Sequence, residues 1–159
     1  LGSNRSQVFF NSGLMRLKLK QAKEAIPFLL EAIKIKNHRP LYHQELGNAF
    51  RTINEYDLAL KSYRKVLSLK PTHVEAQNNI GVIFWKLKAL DKAELEFKKA
   101  LEIEDKSMIH KNLANLYIAK KQFKDAIPHL KIVISRNPSD SRSRNLLHIV
   151  KIIKNTPVE

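Results

Sequence analysis

The sequence contains no cysteine, so disulfide bridges, a thiolate nucleophile and cysteine-ligated zinc are all excluded. Glycine is also scarce, with four residues in the whole chain. Gly2 lies at the N-terminus, and Gly13, Gly47 and Gly81 recur at a constant spacing. No glycine is left to build a phosphate-binding loop, so the common nucleotide-binding motifs are absent.

Long apolar runs are missing too, and no stretch of about 18 apolar residues predicts a membrane span. The chain shows no secretory signal and begins Leu1-Gly2-Ser3 instead of with Met, so we assign residues 1–5 to a leader or cloning remnant. The compartment is therefore unknown. A cytoplasmic location is favoured, and a signal or anchor removed from the N-terminus stays an open alternative.

Candidate catalytic groups do not form a recognisable pattern. The histidines show no metal-ligand spacing, and no serine lies in a nucleophile-elbow context. Carboxylates such as Glu94 and Glu96 are interpreted as solvated helix faces. The sequence thus predicts a protein that is not an enzyme and has no cofactor and no metal.

The charge is strongly positive, with 29 Lys and Arg against 15 Asp and Glu, a net charge of +14. Such an excess favours an acidic partner, nucleic acid or an anionic surface. A lysine-rich solvated helical surface explains the same composition equally well. Both interpretations stay open at this point.

The glycine spacing belongs to a repeat of 34 residues, which divides the chain into units 6–39, 40–73, 74–106 and 107–140. Counting from the first residue of each unit, small residues occupy positions 8 and 20, and a large one occupies position 24. These are Gly13, Gly47, Gly81 and Ala114, then Ala25, Ala59, Ala93 and Ala126, then Leu29, Tyr63, Phe97 and Leu130. Small residues at helical spacing allow two helices to approach closely, and the large residues fill the space between them.

This pattern resembles the tetratricopeptide repeat, a 34-residue helix–turn–helix unit. The resemblance implies an all-α fold, a right-handed superhelical solenoid of four helix–turn–helix repeats plus a C-terminal helix. Position 15, the turn position often held by glycine in that family, is here Lys20, Asn54, Lys88 and Lys121. Because lysine adopts left-handed backbone conformations less readily than glycine, we expect less regular turns there.

Residues 141–154 are predicted to form the C-terminal helix, and residues 155–159 a frayed tail. One stripe of this helix is apolar and comprises Leu146, Ile149, Val150 and Ile153. The helix is either a simple cap on the last repeat or an interaction helix that supports self-association or partner binding.

The resemblance also implies that helix A of each unit lines a concave groove with its positions 5, 6, 9 and 12. The candidate peptide-binding residues at these positions are Asn11, Gln44, Asn48, Asn78, Asn79, Trp85, Lys111, Asn112 and Asn115. A primary amide both donates and accepts, so a row of asparagines can pair with the main chain of an extended peptide. Glu45 interrupts this row. The alternative is that the chain is simply rich in asparagine and that Trp85 packs between helices.

We therefore expect a non-enzymatic protein-interaction scaffold that holds an extended segment of another protein, an acidic segment being favoured. One alternative is a basic solenoid that binds nucleic acid, which is disfavoured because most aromatics are needed for packing. The other is a docking or regulatory domain of a larger enzyme.

Overall fold

The computed structural model describes residues 2–155, and the side chains of residues 4–153. The described chain consists of nine α-helices joined by short turns. They are α1 (Gly2–Lys18), α2 (Ala22–Ile35), α3 (Pro40–Thr52), α4 (Tyr56–Leu69), α5 (Val74–Lys86), α6 (Leu90–Ile103), α7 (Ser107–Ala119), α8 (Phe123–Arg136) and α9 (Ser141–Asn155). Leu1 of the expected leader and residues 156–159 of the expected tail lie outside the described residues.

The helix pairs follow the 34-residue repeat predicted from the sequence, and the all-α repeat fold is confirmed. Within the described chain, odd-numbered helices α1 to α7 are the A helices and even-numbered helices α2 to α8 are the B helices. α1 begins at Gly2 and so includes residues that we assigned to the leader. Pro27 and Pro128 both lie inside B helices that continue past them to Ile35 and Arg136. Among the described residues, no helix combines the length and apolarity needed to cross a bilayer.

The chain divides into two compact units, residues up to Ile83 and residues from Phe84 onward. The core of the first unit is a cluster contributed by α1, α2 and α3: Phe10, Ala25, Leu29, Ala32, Tyr42, Leu46 and Ala49. In the second unit Ala114, Leu130 and Val150 are buried together, with Leu146 and Leu147 packed against them. The small residues of position 20 are fully buried in every repeat, as close helix packing requires.

The turns between A and B helices are equally regular in all four repeats, so the expected irregularity was wrong. Residues Lys20, Asn54, Lys88 and Lys121 have φ values of 61°, 63°, 62° and 58°. Each turn closes with the same two hydrogen bonds. In the third repeat the Lys88 amide donates to Trp85 O at 3.0 Å and the Ala89 amide to Phe84 O at 2.9 Å. This is the Schellman arrangement, in which the helix end imposes a left-handed residue whatever its side chain.

A lysine in the left-handed region is strained, so we expect Lys88→Gly to raise the free energy of unfolding. The Lys88 side chain is exposed, and removing it loses little packing. The left-handed penalty is roughly 1–2 kcal/mol, and the flexibility of glycine in the unfolded chain offsets part of it, leaving a gain of about 0.5–1 kcal/mol. Chemical denaturation measures the change. Asn54→Gly is the matched control and should gain less, because asparagine tolerates this conformation; an equal gain at both positions would contradict the explanation.

Candidate peptide-binding site

In the first unit the predicted asparagine row centres on Asn48 of α3 and Asn79 of α5. Asn79 Nδ2 lies 3.4 Å from Asn48 Oδ1, a long hydrogen bond between the two helices. Asn48 Nδ2 in turn donates to Glu45 Oε2 at 3.1 Å. Glu45 therefore does not break the row, because it accepts from the neighbouring amide on the same helix.

Tyr63 of α4 fixes the orientation of the Asn48 side chain through a hydrogen bond from its hydroxyl group. Its hydroxyl donates to Asn48 Oδ1 at 2.8 Å and accepts from Arg51 Nε at 3.3 Å. The ring is fully buried, and this burial raises the pKa of Tyr63, an effect that the Arg51 guanidinium partly opposes. The Asn48 carbonyl is thus held by Tyr63 and Asn79, and both amides are pre-oriented.

Two of the predicted site residues are not available on the surface. Gln44 is 7% exposed and Asn78 is 2% exposed. Both occupy position 5, where Phe10 of the first repeat is also buried and stacks on Tyr42 with ring centroids 4.4 Å apart. Position 5 therefore packs inward in these three repeats, which removes Gln44 and Asn78 from the candidate surface. Among the described residues, Gln44 Oε1 is a buried oxygen that accepts no hydrogen bond.

Asn11 remains exposed on α1, where its Oδ1 accepts from Gln7 Nε2 at 2.9 Å. It belongs with Asn48 and Asn79 to the first unit, at position 6 of its own repeat. These three residues form the candidate surface that we call the helix-A amide face.

The second unit holds the remaining candidates, Lys111, Asn112 and Asn115 of α7, together with Trp85. Lys111 pairs with Asp140, and this interaction together with the backbone amide of Ser143 lowers the pKa of the Asp140 carboxyl. Asn115 and Lys111 line a small pocket of about 110 Å³ beside the start of α9. Asn112 is half-buried, and half-buried Trp85 lines a pocket of about 210 Å³ with Lys86 and Lys88.

The largest charged cluster was missed by the sequence analysis, which placed Glu94 on a solvated face. Its side chain is 18% exposed and its carboxylate accepts from Lys98 at 2.7 Å, from Lys120 at 2.6 Å and from Tyr117 at 3.0 Å. Burial alone would raise the pKa of Glu94, but the hydrogen bonds from Lys120, Lys98 and Tyr117 outweigh it and lower the pKa to about 2. Lys120 also pairs with Asp91 at 2.8 Å. Tyr117 and Lys120 are more than twenty residues away from the carboxylates that they contact. Only Glu94 and Lys98 could have been paired from the sequence, because they are four residues apart on one helix.

This cluster changes the interpretation of the positive charge. Lys98, Lys99 and Lys120 contribute to the positive charge that raised nucleic acid as an alternative partner, and all three are paired with carboxylates of the same unit. Fewer cations of the second unit are therefore left to contact a nucleic-acid backbone.

The two position-4 histidines are buried and have structural partners. His43 donates from Nε2 to the Asn37 carbonyl at 2.8 Å. His110 Nε2 lies 2.7 Å from Asp105 Oδ1, and Arg136 binds the same carboxylate at 2.6 Å through Oδ2. In the part of the chain that the structure describes, no group of three or more His, Asp or Glu side chains has an arrangement that could bind a metal.

Two family models match the chain, and both describe its repeat. The model described as a TPR repeat matches residues 47–88, and the one described as a tetratricopeptide repeat matches residues 6–39 and 74–107. Together they cover more than half of the sequence, and the two matches of the second model begin at the first residues of the first and third units.

Curated relatives match at low identity and are much longer. The protein STIP1 homolog of Dictyostelium discoideum is 27% identical over 119 residues, which is 70% of this chain and 21% of the relative. The anaphase-promoting complex subunit CDC16 of Saccharomyces cerevisiae is 30% identical over 143 residues, which is 85% of this chain and 17% of the relative. The chain therefore spans about a fifth of the length of these two relatives.

Solved structures match almost the whole chain. MamA from Desulfovibrio magneticus RS-1 superposes with a TM-score of 0.84 at 19% identity, covering 95% of this chain and 86% of that one. YrrB, whose structure is titled a TPR protein with an unusual peptide-binding site, superposes with a TM-score of 0.73 at 21% identity, covering 80% and 66% of the two chains. These similarities establish the fold class, a solenoid of helical repeats. The two family models, which together match residues 6–39 and 47–107, show that the chain belongs to the tetratricopeptide repeat family.

Proposed function

We propose that the chain is a non-enzymatic protein-interaction scaffold, and that the helix-A amide face of its first unit binds an extended segment of a partner protein. Membership of the tetratricopeptide repeat family supports the general role. YrrB is described by its title as having a peptide-binding site, and CDC16 is named as a subunit of a complex. The net charge of +14 favours an acidic partner segment.

The observation that carries this proposal is the pre-oriented pair of amides, Asn48 and Asn79. Tyr63 and Glu45 hold Asn48 in one orientation, and Asn79 Nδ2 bonds to the Asn48 carbonyl oxygen. An amide already fixed by its neighbours loses little conformational entropy when it binds a peptide main chain. Such an amide forms hydrogen bonds with the peptide main chain and not with its side chains. It therefore fixes the register of the bound segment with little sequence preference.

The second unit contributes a separate set of candidates to the proposal. Lys111 and Asn115 border the pocket beside Asp140, Asn112 lies half-buried on the same helix, and Trp85 offers a large ring that is half-exposed. A partly exposed tryptophan beside lysines is a residue type that often dominates the energy of a protein interface. We keep these four as candidate contacts of the second unit.

The test uses extended peptides selected on the wild-type chain from a random display library. We expect Asn11→Ala with Asn79→Ala to weaken these peptides about tenfold, because each lost main-chain hydrogen bond contributes roughly 0.5–1.5 kcal/mol. Isothermal titration calorimetry measures the affinity. Both substitutions leave the bond between Tyr63 and Asn48 in place, so thermal unfolding should change little.

The matched control is Asn4→Ala with Asn145→Ala, which removes two exposed helical asparagines outside the amide face. This pair should leave the affinity unchanged. If both pairs behave alike, or if the selected peptides bind the amide-face variant as tightly as the wild type, the amide face is not the binding surface.

A further inference from the structure

A different surface of the first unit carries an open apolar groove of about 610 Å³ between α2 and α4, with α3 as its floor. We call it the α2–α4 groove. Its apolar lining comprises Leu30, Ile33, Leu46, Phe50 and Leu58. Leu30 and Leu58 are 47% and 43% exposed, which is unusual for large aliphatic side chains that face a common depression.

Three cations of α4 line the same groove: Lys61, Arg64 and Lys65. They lie three and four residues apart and therefore on one face of the helix. All three are exposed, and none forms an ion pair with another residue in the described part of the chain. The described residues that line the groove include no carboxylate. The groove thus combines an apolar floor with uncompensated positive charge along one wall.

Comparison with α6 shows that the equivalent cations of the third repeat are compensated, whereas those of the second are not. Lys98 and Lys99 occupy the same repeat positions as Arg64 and Lys65, and they are neutralised by Glu94 at 2.7 Å and Glu96 at 2.9 Å. In α4 the positions of these two glutamates are held by Leu60 and Ser62. The repeat pattern therefore accounts for the cations, but it does not account for the absence of their carboxylate partners.

Ser62 and His43 of the groove already form hydrogen bonds within the protein. The groove therefore favours a ligand whose main chain needs no hydrogen bonds from it. The Ser62 hydroxyl donates to Leu58 O at 2.9 Å, and His43 Nε2 bonds to Asn37 O at 2.8 Å. An extended peptide placed here would bury main-chain groups with few partners, and each group left unpaired would weaken binding. A helix satisfies its own main chain and presents only side chains to the groove.

We propose that the α2–α4 groove binds an acidic amphipathic helix of a partner protein. Apolar side chains at i, i+3, i+4 and i+7 of the partner fill the floor between Leu30 and Leu58. Carboxylates beside that stripe pair with Lys61 and Lys65, whose separation along α4 is about 6 Å, the same rise that separates i and i+4 on the partner helix. This surface is distinct from the helix-A amide face, and the proposal does not depend on it.

The probe is a blocked acidic peptide of about 16 residues, long enough to form a helix on binding, with a leucine stripe at helical spacing flanked by glutamates. We expect Lys61→Gln, Arg64→Gln and Lys65→Gln together to weaken its binding at least tenfold. Leu30→Gln with Leu58→Gln should weaken it similarly, and since both leucines are exposed, folding should survive. Fluorescence anisotropy measures the affinity, and circular dichroism reports the folding of each variant.

The matched control for charge is Lys124→Gln, Lys131→Gln and Lys151→Gln, which lowers the net charge equally at exposed positions of the second unit. It should leave the affinity within about twofold, since none of these three lysines lines the groove. Equal weakening by the two triple variants would overturn the proposal, because it would show attraction by net charge alone.

Two further probes test whether the α2–α4 groove binds an amphipathic helix, an acidic peptide of any pattern or a nucleic acid. A peptide with the same composition but a scrambled leucine stripe should bind at least tenfold more weakly than the amphipathic one. If the scrambled peptide binds equally well, the groove does not recognise the helical spacing of the leucines, and the proposal is wrong. Single-stranded RNA should lose no more affinity in the Lys61, Arg64 and Lys65 variant than in the Lys124, Lys131 and Lys151 variant, because both lose three cations. A larger loss in the groove variant, with no response to the peptide, would assign the surface to nucleic acid and overturn the proposal.

Discussion

Replacing Gly47 by valine is expected to lower the free energy of unfolding by about 3 kcal/mol, the upper end of the usual range for overpacking a core. A Cβ atom at this position would lie 2.7 Å from Cε1 and 2.9 Å from Cδ1 of Tyr63. The ring cannot move aside, because it is fully buried and its hydroxyl is held by Asn48 at 2.8 Å and Arg51 at 3.3 Å. Even alanine should destabilise, and chemical denaturation measures both variants.

Gly13 is the matched control, since it occupies the same repeat position in the first unit. A Cβ there would lie 2.8 Å from Leu29 Cδ2 and 2.9 Å from Leu29 Cγ, atoms of a buried aliphatic side chain that no hydrogen bond holds in place. Alanine is favoured over glycine in a helix by roughly 1 kcal/mol, and an aliphatic chain adjusts more readily than a ring fixed at its hydroxyl, so Gly13→Ala should cost less than Gly47→Ala. Tyr63→Leu should rescue Gly47→Ala, because it gives the pairing of the fourth repeat, where Ala114 packs with Leu130. Equal losses at Gly13 and Gly47, or no rescue, would show that the ring is not the obstacle.

These two glycines illustrate why the fold was predictable from the sequence. A small residue at position 8 and a large one at position 24 constrain each other across a helix pair, and the constraint recurs every 34 residues, so the spacing alone locates the helices. The turn conformation at Lys88 was harder to predict. It depends on backbone hydrogen bonds that the preceding helix imposes, and these override the preference of the side chain.

The candidate site was predictable only in part, because helical spacing gives the direction of a side chain but not what covers it. Asn48 and Asn79 were correctly expected to lie near each other on neighbouring A helices, and they are joined by a hydrogen bond at 3.4 Å. Gln44 and Asn78 were predicted for the same surface, but position 5 packs inward and both side chains are buried. The role of Glu94 depends on Tyr117 and Lys120, which are far from it in sequence and become neighbours only after folding.

The same limit applies to the positive charge. Composition gives a net charge of +14, but only the structure shows which cations are compensated. Lys98, Lys99 and Lys120 are neutralised within the second unit, whereas Lys61, Arg64 and Lys65 face an apolar groove without carboxylates among the described residues that line it. The charge that is available to a partner is therefore local, and in the first unit it adjoins apolar surface.

The second large effect is expected in α9, where the apolar stripe predicted from the sequence is divided between two environments. Val150 is 1% exposed and packs with Ala114 and Leu130, whereas Ile149 is 49% exposed. We expect Val150→Asp to lower the free energy of unfolding by roughly 2–4 kcal/mol. The substitution removes a buried valine and places a carboxyl group without polar partners in an apolar cluster. The expected result is release of α9 from the last repeat, seen as faster hydrogen exchange of the α9 amides.

Ile149→Asp is the control, since it makes the same chemical change one residue away on the exposed side. It should leave both the hydrogen exchange of α9 and the thermal unfolding unchanged. Because Val150 is buried, self-association through the described part of α9 would use its exposed residues Ile149, Ile152 and Ile153. Sedimentation therefore distinguishes a simple cap from a self-association helix. If α9 is only a cap, Ile149→Asp leaves the sedimentation coefficient unchanged; if it mediates self-association, the same variant dissociates the assembly while α9 stays docked. Equal loss of α9 protection in both variants would contradict the division of the stripe and place Ile149 in the packed core with Val150.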